Sequence, residues 1–144
     1  FKFIQVGMES VSHEDLIKAS EKIKAVSKAG HKLIIAGNGG SAAMASHVAV
    51  DFTKAAGIRA INFNEADLLT CFANDYGYEW VFEKAVEFYG DSGDLLILIS
   101  SSGSSANVLN AAKRAKELNM CVLTFSGFKS DNTCNLSGLL DIFK

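Results

Sequence analysis

The sequence predicts a three-layer α/β domain, a doubly wound, mainly parallel five-stranded sheet covered by helices on both faces. Three observations predict it. Short, nearly unbroken apolar runs, Leu95-Leu96-Ile97-Leu98-Ile99 foremost, have the composition of strands buried on both sides. Segments with helical apolar spacing lie between these runs, so strand and helix alternate along the chain. Two of the runs end in clusters of Gly, Asn and Ser, and parallel sheets bind ligands at the carboxyl ends of their strands, near the topological switch point.

Each element has its own signal. Residues 1–11 are weakly patterned and allow a short helix. Ser12 has N-cap chemistry, with Glu14 and Asp15 in the first turn, and Leu16, Ala19, Ile23 and Val26 follow on one helical face. Gly30 stops that helix. Residues 31–36 are the first strand. Gly37-Asn38-Gly39-Gly40-Ser41 is then a turn, with Ser41 expected to cap a helix over residues 42–56. That helix is apolar around much of its circumference, which predicts burial against the sheet and against another subunit. Residues 58–63 read as a second strand, 66–73 as one or two helical turns, and Asn74-Asp75-Tyr76-Gly77 as a turn. Residues 78–89 have helical spacing, and Asp91-Ser92-Gly93-Asp94 is another turn. The strand at 95–99 runs into a serine-rich loop. Val108, Ala111, Ala112, Ala115 and Leu118 then share a helix face. Residues 120–125 and 139–143 are the fourth and fifth strands.

Composition narrows the function classes. The 144 residues make one domain with a sizeable core, and 49% are apolar against 21% charged. The net charge is −2 with no basic block, which argues against a nucleic-acid surface. No apolar run approaches the roughly 18 residues of a membrane span, and the first residues lack the pattern of a signal peptide. Cys71, Cys121 and Cys134 are odd in number and lack C-x-x-C spacing, so they read as reduced thiols of a cytoplasmic protein. The first residue is Phe rather than Met, which points to a piece of a longer gene product.

The glycine turn and the serine loop carry the chemistry. Glycines allow positive φ and close approach of a ligand to the backbone. A helix start supplies free N–H groups and the positive end of the helix dipole, so an anion fits there. The turn is neither G-x-G-x-x-G nor a Walker A loop. Ser100-Ser101-Ser102-Gly103-Ser104-Ser105 offers up to five hydroxyls at a second helix start, a nest for phosphate. With no Lys or Arg between Ser100 and Ala112, affinity would come from oriented dipoles. A flexible N-capping loop would account for one or two of these serines. No G-x-S-x-G elbow supports a nucleophilic serine. His47 and Asp51, four apart on one helix face, suit two ligands of one metal, an acid/base pair, or a purely structural hydrogen bond. Asn74 and Asp75 are equally readable as turn formers.

Taken together, Gly37-Asn38-Gly39-Gly40-Ser41-Ala42-Ala43, His47, Ala73-Asn74-Asp75-Tyr76-Gly77 and Ser100 to Val108 resemble the phosphoheptose isomerases of the sugar-isomerase (SIS) domain superfamily. The resemblance runs from about residue 12 to the end, with three motifs in order. It implies a flavodoxin-like parallel sheet, a homotetramer, and an aldose–ketose isomerase converting sedoheptulose 7-phosphate on the route to the heptose of bacterial lipopolysaccharide or capsule. It implies that Ser100, Ser101, Ser102 and Ser105 grip the phosphate. Asn38, Gly39, Gly40, Ser41, Asn74 and Asp75 would bind the sugar. His47 would lie at the active centre, where family members can hold Zn2+, with Asp51 as base or metal ligand.

Two departures qualify the resemblance. The family usually carries Glu where this chain has Asp51, one methylene shorter. The family's second catalytic group is a histidine on a helix after the last strand, and this sequence stops at Lys144, about where that helix would begin. The expectation is a single SIS domain over 1–144 without its C-terminal helix, lacking the matching acid. SIS domains also serve as non-catalytic sugar-phosphate sensors, and one relative is a partner of a replication initiator. That leaves a binding module as the competing class.

Overall fold

The computed structural model describes residues 12–127. Four parallel strands, β1 Leu33–Gly37, β2 Ala60–Asn62, β3 Leu95–Ser100 and β4 Cys121–Ser126, form one sheet in the order β2-β1-β3-β4. Helices α1 His13–Lys28, α2 Gly40–Lys54, α3 Ala66–Tyr76, α4 Val81–Tyr89 and α5 Ala106–Glu117 cover it, with a 3₁₀ turn over Tyr78–Trp80 between α3 and α4. This is the doubly wound architecture expected from the sequence. The fifth strand expected at 139–143 and the helix allowed at 1–11 lie outside the described residues, as does Cys134.

The continuous apolar strands follow from two-sided burial. Leu33, Ile35, Leu95, Ile97 and Leu123 face Ala19 and Val26 of α1 and Ala45 and Ala49 of α2. Their neighbours Ile34, Ala36, Leu96, Leu98 and Val122 face Val81, Phe82, Ala85 and Val86 of α4 and Val108, Ala111, Ala112 and Ala115 of α5. Each fully buried Leu or Ile contributes about 1.5–3 kcal/mol. Small alanines on α2 and α5 let those helices approach the sheet closely.

Several element ends differ from expectation, each for a physical reason. Ser12 does cap α1, its Oγ accepting from Asp15 N at 3.2 Å, and Gly30 follows the helix at φ +84°. The cap of α2, however, is Gly39 at φ 54° and ψ −120°, with no side-chain capping bond, and Ser41 lies inside the first turn. The helix starts two residues early because glycine reaches a conformation that serine rarely adopts. Asn74, Asp75 and Tyr76, expected in a turn, form the last turn of α3, and the chain reverses only at Gly77, φ +94°. A glycine at a helix end supplies the stop, so Asn and Asp before it remain helical. The helix expected at 78–89 divides into the 3₁₀ turn and α4. Helix α2 buries only Ala45 and Ala49, whereas Met44 and Val50 are about half exposed, at 51% and 55%.

A charged cluster pins the amino ends of β1 and β3. Asp94 is buried, and its carboxylate accepts from Lys32 N and Asp91 N, each at 2.9 Å, and from the Lys32 ammonium. Asp91 Oδ2 accepts a further bond from Lys32 Nζ at 2.6 Å. Burial disfavours the Lys32 charge, but the bonds to Asp91 and Asp94 outweigh it and hold the ammonium's pKa above its ordinary value. The same Lys32 bond holds the Asp91 carboxyl below its ordinary value. The opposite, carboxyl end of the sheet is left to the Gly and Ser loops.

Candidate sugar-phosphate site

Strands β1 and β3 are neighbours, although α2, β2, α3 and α4 intervene in sequence, and the crossovers on either side of them diverge. Gly37 at the end of β1 pairs with Ile99 near the end of β3. A Cβ on Gly37 would stand 2.7 Å from Ile99 O and 2.8 Å from Ser41 Cβ, so only glycine allows the two loops to approach this closely.

The turn after β1 is tied directly to the helix after β3. Asn38 Nδ2 donates to Asn107 Oδ1 at 2.9 Å, and Asn107 Nδ2 donates back to Asn38 Oδ1 at 2.9 Å. Tyr78 OH adds a second donor to Asn38 Oδ1 at 3.0 Å. Asn107 is 3% exposed, at the second position of α5. The 3₁₀ turn forms a third wall, since Asn110 Nδ2 of α5 donates to Glu79 O at 3.0 Å.

The serine loop partly builds itself. Gly103 N donates to Ser100 Oγ at 3.1 Å, and Ser104 N to Ser102 Oγ at 3.3 Å. Gly103 takes φ +61°, which turns the chain into α5. Ser101 O accepts from Gly127 N at 3.2 Å, tying the loop to the end of β4. Ser105 is the N-cap of α5, yet its side chain makes no capping bond, so its hydroxyl and the first amides of α5 are available to a ligand.

The other expected site residues occupy separate surroundings. Asn74 Nδ2 donates to Asp75 Oδ1 at 2.9 Å, and Asp75 Oδ2 lies 3.7 Å from Cys71 Sγ, one helical turn back. The Asp75 charge, foremost, raises the Cys71 thiol's pKa. His47 Nε2 lies 3.4 Å from Asp51 Oδ2, with side chains 79% and 62% exposed. The structure thus brings the predicted pair together on α2, open to solvent within one chain. As zinc ligands these residues supply two donors, and among the described residues no group of three His, Cys, Asp or Glu side chains could hold a metal. One chain's described residues therefore do not make a complete zinc site.

Sequence reasoning gave no individual role to Asn107, Tyr78 or Asn110, nor to the polar end of β2. There Asn64 Nδ2 donates to Ala42 O at 2.6 Å and to Ser46 Oγ at 2.7 Å, while Asn62 Oδ1 accepts from Asn64 N at 3.1 Å. The available signal was positional, namely Asn just after β1, at the end of β2 and at the start of α5.

Known proteins resemble this chain in sequence and in fold, and it spans about three fifths of the length of several of them. The SIS domain family matches residues 4–127. The chain is 41% identical over 117 residues to a phosphoheptose isomerase of Cytophaga hutchinsonii, an alignment covering 78% of this chain and 61% of that protein. It is 43% identical over 141 residues to phosphoheptose isomerase 1 of Campylobacter jejuni, covering 85% and 75%. Among solved structures, a phosphoheptose isomerase from Neisseria gonorrhoeae superposes with a TM-score of 0.86 at 35% identity, covering 96% of this chain and 73% of that one.

Proposed function

The chain belongs to the phosphoheptose isomerase family of SIS-domain proteins, and from that premise we propose that it forms the substrate-binding body of an isomerase for sedoheptulose 7-phosphate. The product would be D-glycero-D-manno-heptose 7-phosphate, made in the cytoplasm for bacterial surface polysaccharide. The free thiols Cys71 and Cys121 accord with that compartment.

The observation that carries the proposal is the Asn38–Asn107 bridge, which joins the glycine turn to the start of the helix that follows the serine loop, at the switch point between β1 and β3. In this reading Ser105 and the first amides of α5 hold the phosphate, while Ser100 and Ser102 keep the loop in shape. Gly39, Gly40 and Ser41 line the sugar. The reaction removes a proton from the carbon next to the carbonyl and returns one to the neighbouring carbon, with no net gain or loss of atoms. Backbone and side-chain N–H donors at the strand ends would stabilise the negative oxygen between those steps. Asp51, through or beside His47, is the proposed base. The pair also offers a divalent cation two of its ligands, where it would polarise the sugar oxygens. Its remaining ligands would come from outside the described residues or from substrate.

A homotetramer is part of the proposal. Met44 precedes His47 by one helical turn and Val50 adjoins Asp51, so a subunit laid on this apolar side of α2 would also enclose the pair. The exposure of His47 and Asp51 in one chain favours a second reading, a sugar-phosphate sensor without catalysis. A coupled assay of ketose-to-aldose conversion on the full-length protein, with calorimetric titration of sedoheptulose 7-phosphate, separates them. Conversion supports the isomerase. Tight binding without conversion supports the sensor, and neither would overturn both.

A further inference from the structure

We propose that Asn107 is a positioning residue for this site, a buried clamp that fixes the glycine turn against the phosphate loop by way of Asn38. The proposal deepens the isomerase reading and rests on it. Four features carry it. The bond is reciprocal, so each amide both donates and accepts, at 2.9 Å in each direction. Asn107 is almost fully buried, so its amide has no water to fall back on. Its partner lies on the loop after a different strand, 69 residues away in sequence. The serine loop, finally, keeps its own internal bonds at Ser100 and Ser102, so its shape does not depend on the Asn107 side chain.

The clamp also changes the role of Asn38. Its carbonyl oxygen accepts from both Asn107 Nδ2 and Tyr78 OH, which occupies both lone pairs. One N–H goes to Asn107, leaving a single N–H for the sugar. Asn38 therefore serves chiefly as the link through which Asn107 and Tyr78 set the position of Gly39 and Gly40. Sugar binding falls to the backbone that Asn38 holds in place. Misplacing that backbone by about 1 Å is enough to cost about 10²-fold in rate.

The test uses the full-length protein and its Asn107→Ser variant, which adds no charge beside the α5 amides and is too short to keep the paired bonds to Asn38. Inorganic phosphate probes the serine loop alone, and turnover of sedoheptulose 7-phosphate probes both loops together. We expect kcat/KM to fall about 10–100-fold while the phosphate Kd stays within about twofold. The double variant Asn38→Ala/Asn107→Ser should be no slower than the slower single, because both act through the same pair of bonds. A parallel loss of phosphate affinity, an unchanged kcat/KM, or multiplying effects would each overturn the clamp. Should Asn107→Ser not fold, Asn107→Ala is read in the same assays. A double-mutant cycle on the unfolding midpoint reads the Asn38–Asn107 coupling with no substrate present. Absence of turnover in the parent would then count against the proposed isomerase, and absence of coupling against the clamp.

Discussion

Two of the serine oxygens accept from the loop's own amides while keeping their O–H donors, and this divides the loop's labour at the scale of single residues. Ser100 and Ser102 accept from Gly103 N and Ser104 N, whereas Ser105 makes no capping bond. Ser105→Ala should therefore lose one hydrogen bond to the phosphate, about 1.5–3 kcal/mol or 10–150-fold in affinity. Its melting midpoint should stay within a few degrees of the parent, and calorimetry with a sugar phosphate together with a thermal melt checks both. A second prediction concerns Cys71. The neighbouring Asp75 carboxylate raises its pKa, so less thiolate is present at a given pH. Asp75→Asn removes that charge and should speed iodoacetamide labelling of Cys71 at pH 8, and an unchanged rate would contradict the assignment. The Gly and Ser clusters at the ends of β1 and β3 were legible in the sequence. The individual roles were not. Nothing in the order Ser100 to Ser105 says which hydroxyl oxygens accept from the loop's own amides, and Asn107 gains its meaning only from a partner far away in the chain.

At the scale of elements, glycine positions decide where segments stop and how closely they meet. Gly37→Ala would place a methyl group 2.7 Å from Ile99 O, so β1 and β3 must part or the turn must move. The expected cost is about 1–3 kcal/mol of stability together with weakened sugar binding, measurable by urea unfolding and by titration. Helix α2 behaves differently. His47 is 79% exposed, so His47→Ala should leave the melting midpoint within a few degrees while abolishing turnover in the full-length protein. Retained turnover would restrict His47 to its contact with Asp51. The strands were legible because two-sided burial leaves Leu and Ile almost alone in β1 and β3. The ends of α2 and α3 were less so, since Ser41 and Asn74 have the chemistry of caps and turns and the neighbouring glycines outweighed it.

At the scale of the whole molecule, the two ends of the sheet have opposite duties. The carboxyl end carries the Gly and Ser loops of the proposed site, and the amino end is locked by Lys32, Asp91 and Asp94. Lys32→Met should destabilise by about 3 kcal/mol, because it leaves the buried Asp94 carboxylate without its cation. The depressed Asp91 carboxyl contributes stability that is present above the ordinary carboxylate pKa and lost as pH falls through its folded value. Acid unfolding of the parent should therefore show a steeper loss below about pH 4 than that of Lys32→Met, which has no such bond to lose. The three-layer plan was legible from alternation alone, whereas the strand order, which sets β1 beside β3, came from the structure. That order also has a consequence for synthesis on the ribosome. Lys32 and Asp94, which lock β1 to β3, are 62 residues apart. At about 5–20 residues per second, β1 waits some 3–12 s for its central neighbour, with only the short β2 to pair against in the interval. The newborn strand Leu33-Ile34-Ile35-Ala36 thus keeps one apolar edge unpaired until β3 emerges, and the two loops of the proposed site meet only when that wait ends.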